Sequence, residues 1–210
     1  LLLGHNYITH FVVVSKNLLD QVGSLRSEYD GSQDYDFVLR ATEQAQLVRH
    51  ISKQLYHWRT LASSVAGDPK SKMYAYEAGR KAIEAALKRR EISGTVSMLE
   101  NLGTYKIEYA MRLPSVAVLV SAYTPKQVER LAALTNYPEV QFVSVNSDTV
   151  NDVAMSREED LFVFLDGLKP KNDSWLRQMV NYSYNHQIGV VGGKVFDTRE
   201  RIVNVGITLR

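Results

Sequence analysis

A chain of 210 residues is long for one compact domain and short for two complete ones, since domains run to roughly 100–200 residues. With 45% hydrophobic and 23% charged residues it can bury a core and is not a disordered tail. A net charge of +2, from 25 Lys and Arg against 23 Asp and Glu, offers no clustered basic surface for non-specific nucleic-acid binding, and the lack of cysteine excludes a disulfide scaffold and thiolate-held metals.

The opening LLLG has no initiator methionine and no charged lead-in, which is expected of a fragment without a signal segment. Residues 7–15 (YITHFVVVS) are β-rich and short enough for a buried strand, and 16–22 (KNLLDQV), stopped by Gly23, read as a short helix. From Asp34 the residues Phe37, Val38, Ala41 and Ala45 recur at helical spacing, with an acid in the first turn. Residues 47–52 and 54–59 read as two short strands, the second ending in YHWR, and a turn-like AGDPKSK follows.

Residues 71–90 carry Met73, Tyr76, Ile83 and Leu87 on one helical face, and the closing Lys88, Arg89 and Arg90 suit a helix C-terminus. Residues 91–113 read as a linker that contains one alternating candidate strand, YKIEYA at 105–110. Beyond Pro114, strands at 116–122, 140–146, 161–165 and 189–195 and helices at 125–134 and 174–186 set an α/β rhythm with a mostly parallel sheet. Its longest apolar run, 115–123, is about half of what a bilayer crossing takes.

Three constellations could carry chemistry. In GSQDYDFVLR (31–40), Asp34 in the first turn of a helix could accept a proton from a bound hydroxyl, though spacing alone favours Asp34 and Asp36 as plain helix-start acids. In YHWR, a strand would turn His57 and Arg59 to one face, towards a diphosphate or its metal complex; the plainer reading is a strand edge with Trp58 in the core. In FVFLDGLKP (162–170), Asp166 ends a buried strand where phosphates and their hard cations are met, although Asp-Gly is also an ordinary turn. Tyr123, Ser147 and Asp148 lie just beyond other strand ends. His5, His10, His50 and His186 show no ligand spacing, and Gly192 and Gly193 suggest a close backbone approach or a bulge.

Taken in order, NYITHFVVVSKNLLDQVGSLRSEYDGSQDYDFVLRATEQA, HISKQLYHWR and SKMYAYEAGRKAIEAALKR resemble the end of the catalytic domain of bacterial family 2 glycosyltransferases, over residues 6–90. LPSVAVLVSAYTPKQ, EEDLFVFLDGLKPKNDSWLRQMV and IGVVGGKVFDTRERIVNVGITL resemble the opening and middle of a second such domain, over residues 114–210. The resemblance implies the nucleotide-diphospho-sugar transferase fold, α/β with a mostly parallel sheet flanked by helices, here as partial or permuted domains. It implies inverting transfer of a sugar from a nucleotide-diphosphate donor to a hydroxyl of a glycan or lipid-linked acceptor, in surface polysaccharide or cell-wall glycan synthesis. Gln33-Asp34 then stands where the family has Glu-Asp, with Asp34 as general base, Arg40 bracing the helix or serving the substrate, and His57 and Arg59 facing the diphosphate.

A divalent cation, Mg²⁺ or Mn²⁺, is expected with His57 and Asp166 as ligands. The implied location is cytoplasmic, extending to the inner face of the membrane, and the expectations admit a second copy of the chain and a membrane surface as partners. Departures are Ser52 and Leu61, where the family often has proline and histidine, and Asp166-Gly167-Leu168, which lacks a second acid. The link between Asp148 and Leu161 is short where the family has a long nucleotide-binding segment. The second domain is therefore expected to be degenerate, and a non-catalytic module for dimerisation, acceptor binding or assembly is the alternative.

Overall fold

The computed structural model describes residues 1–9, 11–57, 73–183 and 188–204. It divides into two compact units, Leu1–Ala110 and Met111–Arg210, each with its own core.

In the first unit, α1 (Lys16–Val22) is capped at both ends: the Ser15 hydroxyl accepts from Leu18 N, and Gly23, at φ 77°, donates its N–H to the Leu19 carbonyl. After a 3₁₀ turn at Ser27–Tyr29 comes α2 (Gln33–Gln44), which buries Tyr35, Val38, Leu39 and Ala41. Tyr35 and Leu39, rather than the expected Phe37 and Ala45, complete the buried face with Val38 and Ala41; Phe37 is half-buried beneath the Arg40 guanidinium.

Helix α3 (Met73–Arg89) buries Ala75, Ala78, Gly79, Ala82, Ile83, Ala86 and Leu87. The burial shifts from the expected Met73 and Tyr76 to a stripe of small residues, which lets neighbouring backbone come close. Strands β1 (Gly94–Met98) and β2 (Tyr105–Tyr109) pair antiparallel, from Gly94 opposite Tyr109 to Met98 opposite Tyr105. Val96, Tyr105 and Ile107 pack with Leu39, Ile83 and Leu87. Most of the segment expected as a linker, 91–113, is therefore a hairpin inside the first core.

The expected strand at 7–15 is absent among its described residues, and so is strand structure at 47–57; residues 58 and 59 lie outside the described residues. Both segments have β-rich composition, but a strand needs a neighbour for its N–H and C=O groups. Phe11, Val13, Leu47, Ile51 and Leu55 are left exposed.

The second unit is α/β, as expected. Strands β3 (Val116–Ser121), β4 (Val140–Ser144) and β5 (Leu161–Asp166) form a parallel sheet in the order β4-β3-β5. Helix α4 (Pro125–Leu134), opened by a Thr124–Gln127 capping box with proline in its first turn, follows β3. Short α5 (Val150–Met155) and then α6 (Trp175–Ser183) follow β4 and β5.

Leu131, Leu176 and Val180 from α4 and α6 pack on Val116, Val118 and Val120 of the central strand. The expected strand at 189–195 contracts to β6 (Val195–Phe196), paired antiparallel with β7 (Ile202–Asn204). Among the described residues nothing lies within 4 Å of where a side chain would begin at Gly192 or Gly193, so none of them makes the close approach expected there. Among the described residues no helix is long and apolar enough to cross a membrane.

Candidate functional site

The start of α2 is built around Gly31 and Ser32. Gly31 has φ 92°, and a Cβ there would meet Ala75 Cβ at 2.7 Å, so conformation and space both require glycine. Ser32 donates its hydroxyl to the Ala75 carbonyl at 2.7 Å, and Gln33 Oε1 accepts from Gly31 N at 2.8 Å. Helix α2 is thus moored to the first turn of α3, and Asp34 is placed in its own first turn.

Asp34 is half-buried. Its Oδ1 accepts from Tyr35 N at 2.8 Å and its Oδ2 from Asn6 Nδ2 at 3.3 Å, and among the described residues no cation pairs with it. Asp36, two residues on, is fully buried and receives Arg26 Nε at 2.9 Å, Arg26 Nη2, and Arg40 Nε at 3.0 Å. Burial alone pushes the Asp36 carboxyl up; the hydrogen bonds and charges of Arg26 and Arg40 together outweigh it and hold the carboxyl below the ordinary carboxylate value. The two acids of GSQDYDFVLR therefore differ in kind: one is sealed in an ion-pair cluster, the other is held by neutral donors and reaches solvent.

Arg40 ties Asp36 to the end of α1. It is 7% exposed, and its remaining N–H groups go to the carbonyls of Val22 and, at 2.9 Å, Ser24, at the end of α1. No donor of that guanidinium is left pointing outward. His57 is exposed and lies on no strand, and Arg59 lies outside the described residues. Beside it, Tyr56 meets the Phe11 ring with centroids 6.1 Å apart.

In the second unit, the strand order places a switch point between β3 and β5, where ligands of parallel α/β sheets bind beyond the carboxyl ends. Ser121 and Asp166 end those two strands side by side, and the Ser121 hydroxyl donates to Asp166 Oδ1 at 2.6 Å. Directly after them Ala122 and Gly167 both turn left-handed, at φ 59° and 61°, and Tyr123 donates its hydroxyl to the Leu168 carbonyl. Burial, then the Asp166 charge, raises the Tyr123 phenol above its ordinary value. Ser147 and Asp148 form a turn after β4, with Asn146 Oδ1 accepting from Asp148 N and Thr149 N at 2.9 Å each.

Among the described residues no three His, Asp or Glu side chains gather where they could share an ion. Asp166 also has one oxygen engaged by Ser121.

Two shallow clefts lie elsewhere, one lined by Thr42, Glu43, Gln44, Arg89 and Arg90, the other by Ser115, Gln141 and 156–159; neither includes Asp34 or Asp166. The first is filled with ion pairs: Glu43 receives Arg89 Nε at 2.7 Å and Arg90 Nε at 3.0 Å. Sequence reasoning missed Asn6, Arg26 and Ser121. Ser121 carried a usable signal, a hydroxyl residue ending the most apolar strand, whereas nothing local marks Asn6 or Arg26.

The class defined by these features is an α/β protein with a parallel sheet in one unit and an acid-bearing helix start in the other. No family model matches the chain. Over its whole length it is 29% identical to the Uncharacterized protein y4gI of Sinorhizobium fredii (strain NBRC 101917 / NGR234), of which it covers 28%. It is 27% identical to the O-antigen biosynthesis protein RfbC of Myxococcus xanthus, of which it covers 19%. The chain thus spans less than a third of the length of these relatives. The alignments run over 255 and 247 residues, so each relative has residues within the matched region that this 210-residue chain lacks. No solved structure matches.

Proposed function

We propose that this chain is part of an inverting glycosyltransferase of surface polysaccharide synthesis, and that Asp34 is its general base. The observation that carries the reading is the contrast at the start of α2: Asp36 is consumed by arginines, while Asp34 is half-exposed and, among the described residues, oriented by neutral donors alone. The similarity to an O-antigen biosynthesis protein over the whole chain supports the substrate class.

In this reading the acceptor hydroxyl gives its proton to Asp34 as its oxygen bonds to the anomeric carbon of the donor sugar. The bond from that carbon to the diphosphate breaks with inversion, and the nucleoside diphosphate leaves with the electron pair. His57 and Arg59 are assigned to the leaving diphosphate, whose growing charge needs positive partners. Gln33, bonded to Gly31 N, holds the turn that presents Asp34.

The test is turnover of nucleotide-diphosphate sugars by the full polypeptide that carries this chain, with and without Asp34→Asn. The variant is expected to keep its unfolding midpoint and lose at least about a hundredfold in kcat, the scale of a general base. A variant with unchanged kcat overturns the assignment.

A second reading for residues 111–210 is favoured by Asp166, which stands without a second acid and is bonded by Ser121. There this unit serves dimerisation, acceptor binding or assembly and does no chemistry.

A further inference from the structure

Asn6 lies in the short connection that follows the first turn of the chain, and three contacts fix that connection to the β1–β2 hairpin. The Gly4 carbonyl accepts from Tyr105 N at 2.9 Å, His5 pairs with Thr104 in an isolated antiparallel bridge, and His5 Nδ1 is 3.1 Å from the Gly103 carbonyl. The hairpin is itself packed into the first core through Val96, Tyr105 and Ile107. The Asn6 amide therefore reaches Asp34 from an anchored base.

Its orientation has a cost. Asn6 Oδ1 is buried and, among the described residues, accepts no hydrogen bond, which is destabilising for a polar atom shut away from water. Turning the amide over would set that oxygen against Asp34 Oδ2 and withdraw the N–H donor from a carboxylate. The unmet oxygen is thus the consequence of aiming the NH₂ group at Asp34, 3.3 Å away. With Oδ1 of Asp34 held by Tyr35 N and Oδ2 by Asn6, both ends of the carboxylate are fixed, and each oxygen keeps a lone pair for an incoming hydroxyl.

We propose that Asn6 is a positioning residue for the proton-accepting carboxylate, fixing the plane of Asp34 from the hairpin side. The proposal rests on the reading of Asp34 as the base. Its first test needs no turnover: thermal unfolding of the full chain with Asn6→Asp, with Asp34→Asn, and with both. Asn6→Asp places like charges together and is expected to lower Tm by about 4 °C or more, a shift that a modest local penalty produces in a unit of this size. The double variant restores a donor–acceptor pair with the roles exchanged and is expected to regain most of that loss. No recovery in the double variant overturns the proposal, whatever the enzyme does.

The second test is kinetic, in the full polypeptide. Asn6→Ala is expected to lower kcat about tenfold with the donor KM unchanged, the scale of one hydrogen bond to a charged group. Asn6→Asp, although isosteric, should lower it further, and the double variant should regain Tm but not turnover. Recovery of Tm together with an unchanged kcat in Asn6→Ala makes the contact merely structural and overturns the proposal. Recovery of Tm with full turnover in Asp34→Asn shows that the base reading has failed, and the positioning role falls with it.

Discussion

Two aspartates separated by one residue illustrate how burial decides the role of a side chain. Asp36 and Arg40, one helical turn apart, share a buried cluster with Arg26, and removing the carboxylate would leave the Arg40 charge, 7% exposed, without its partner. Asp36→Asn is expected to cost about 3 kcal/mol or more in urea unfolding, against a change within about 0.5 kcal/mol for Asp34→Asn. The pH dependence follows in sign. Because the folded Asp36 carboxyl lies below its unfolded value, near 3.9 for an aspartate, its contribution is complete above that value and is lost as pH falls through the lower folded one. Acid unfolding of the first unit should therefore soften below about pH 4 in the native chain, and Asp36→Asn should flatten that dependence. The sequence marks both acids as helix-start residues. It does not rank them, because the ranking comes from Arg26, ten residues earlier on a turn and brought in by tertiary packing.

At the scale of elements, what was legible in the sequence was what local chemistry dictates. Helices α1 and α4 fall where Ser15, Gly23, Thr124 and Pro125 mark their ends, since a cap acts within a few residues. The strands read at 7–15 and 47–52 do not form among the described residues because pairing is non-local: β-rich composition cannot supply a partner. The same limit hid the β1–β2 hairpin, whose first strand, GTVSM, has little apolar content of its own and is held by Val96 and the face of α3. Gly79 on that face provides a test. Alanine in mid-helix is worth about 1 kcal/mol over glycine, yet a Cβ at position 79 would come within 2.2 Å of the Tyr105 hydroxyl, which donates to the Tyr76 carbonyl at 2.8 Å. Gly79→Ala should therefore lower Tm despite its propensity, and Tyr105→Phe in the same chain should return part of the loss. A Gly79→Ala chain more stable than the native one would show that the hairpin does not press on α3 there.

Across the whole molecule, the two units present acids in different settings, and the difference divides the two functional readings. Asp34 starts a helix in a unit whose strands form an antiparallel hairpin; Asp166 ends a strand of a parallel sheet at its switch point, hydrogen-bonded by Ser121. The sequence placed Asp166 at a strand end correctly from the apolar run before it. Its pairing with Ser121 depends on β3 and β5 being neighbours, which follows from sheet order and not from either segment alone. Titration calorimetry of the full chain with nucleoside diphosphates, with and without Mn²⁺, separates the readings. A unit that only assembles or binds acceptor should give no heat that depends on both Mn²⁺ and Asp166, so the native chain and Asp166→Asn should behave alike. Micromolar binding that requires Mn²⁺ and is lost in Asp166→Asn would instead place a working donor site at the β3–β5 crevice. Such binding would need ligands beyond one carboxylate, because a hard cation fills its shell with oxygens and the diphosphate would have to contribute several of them.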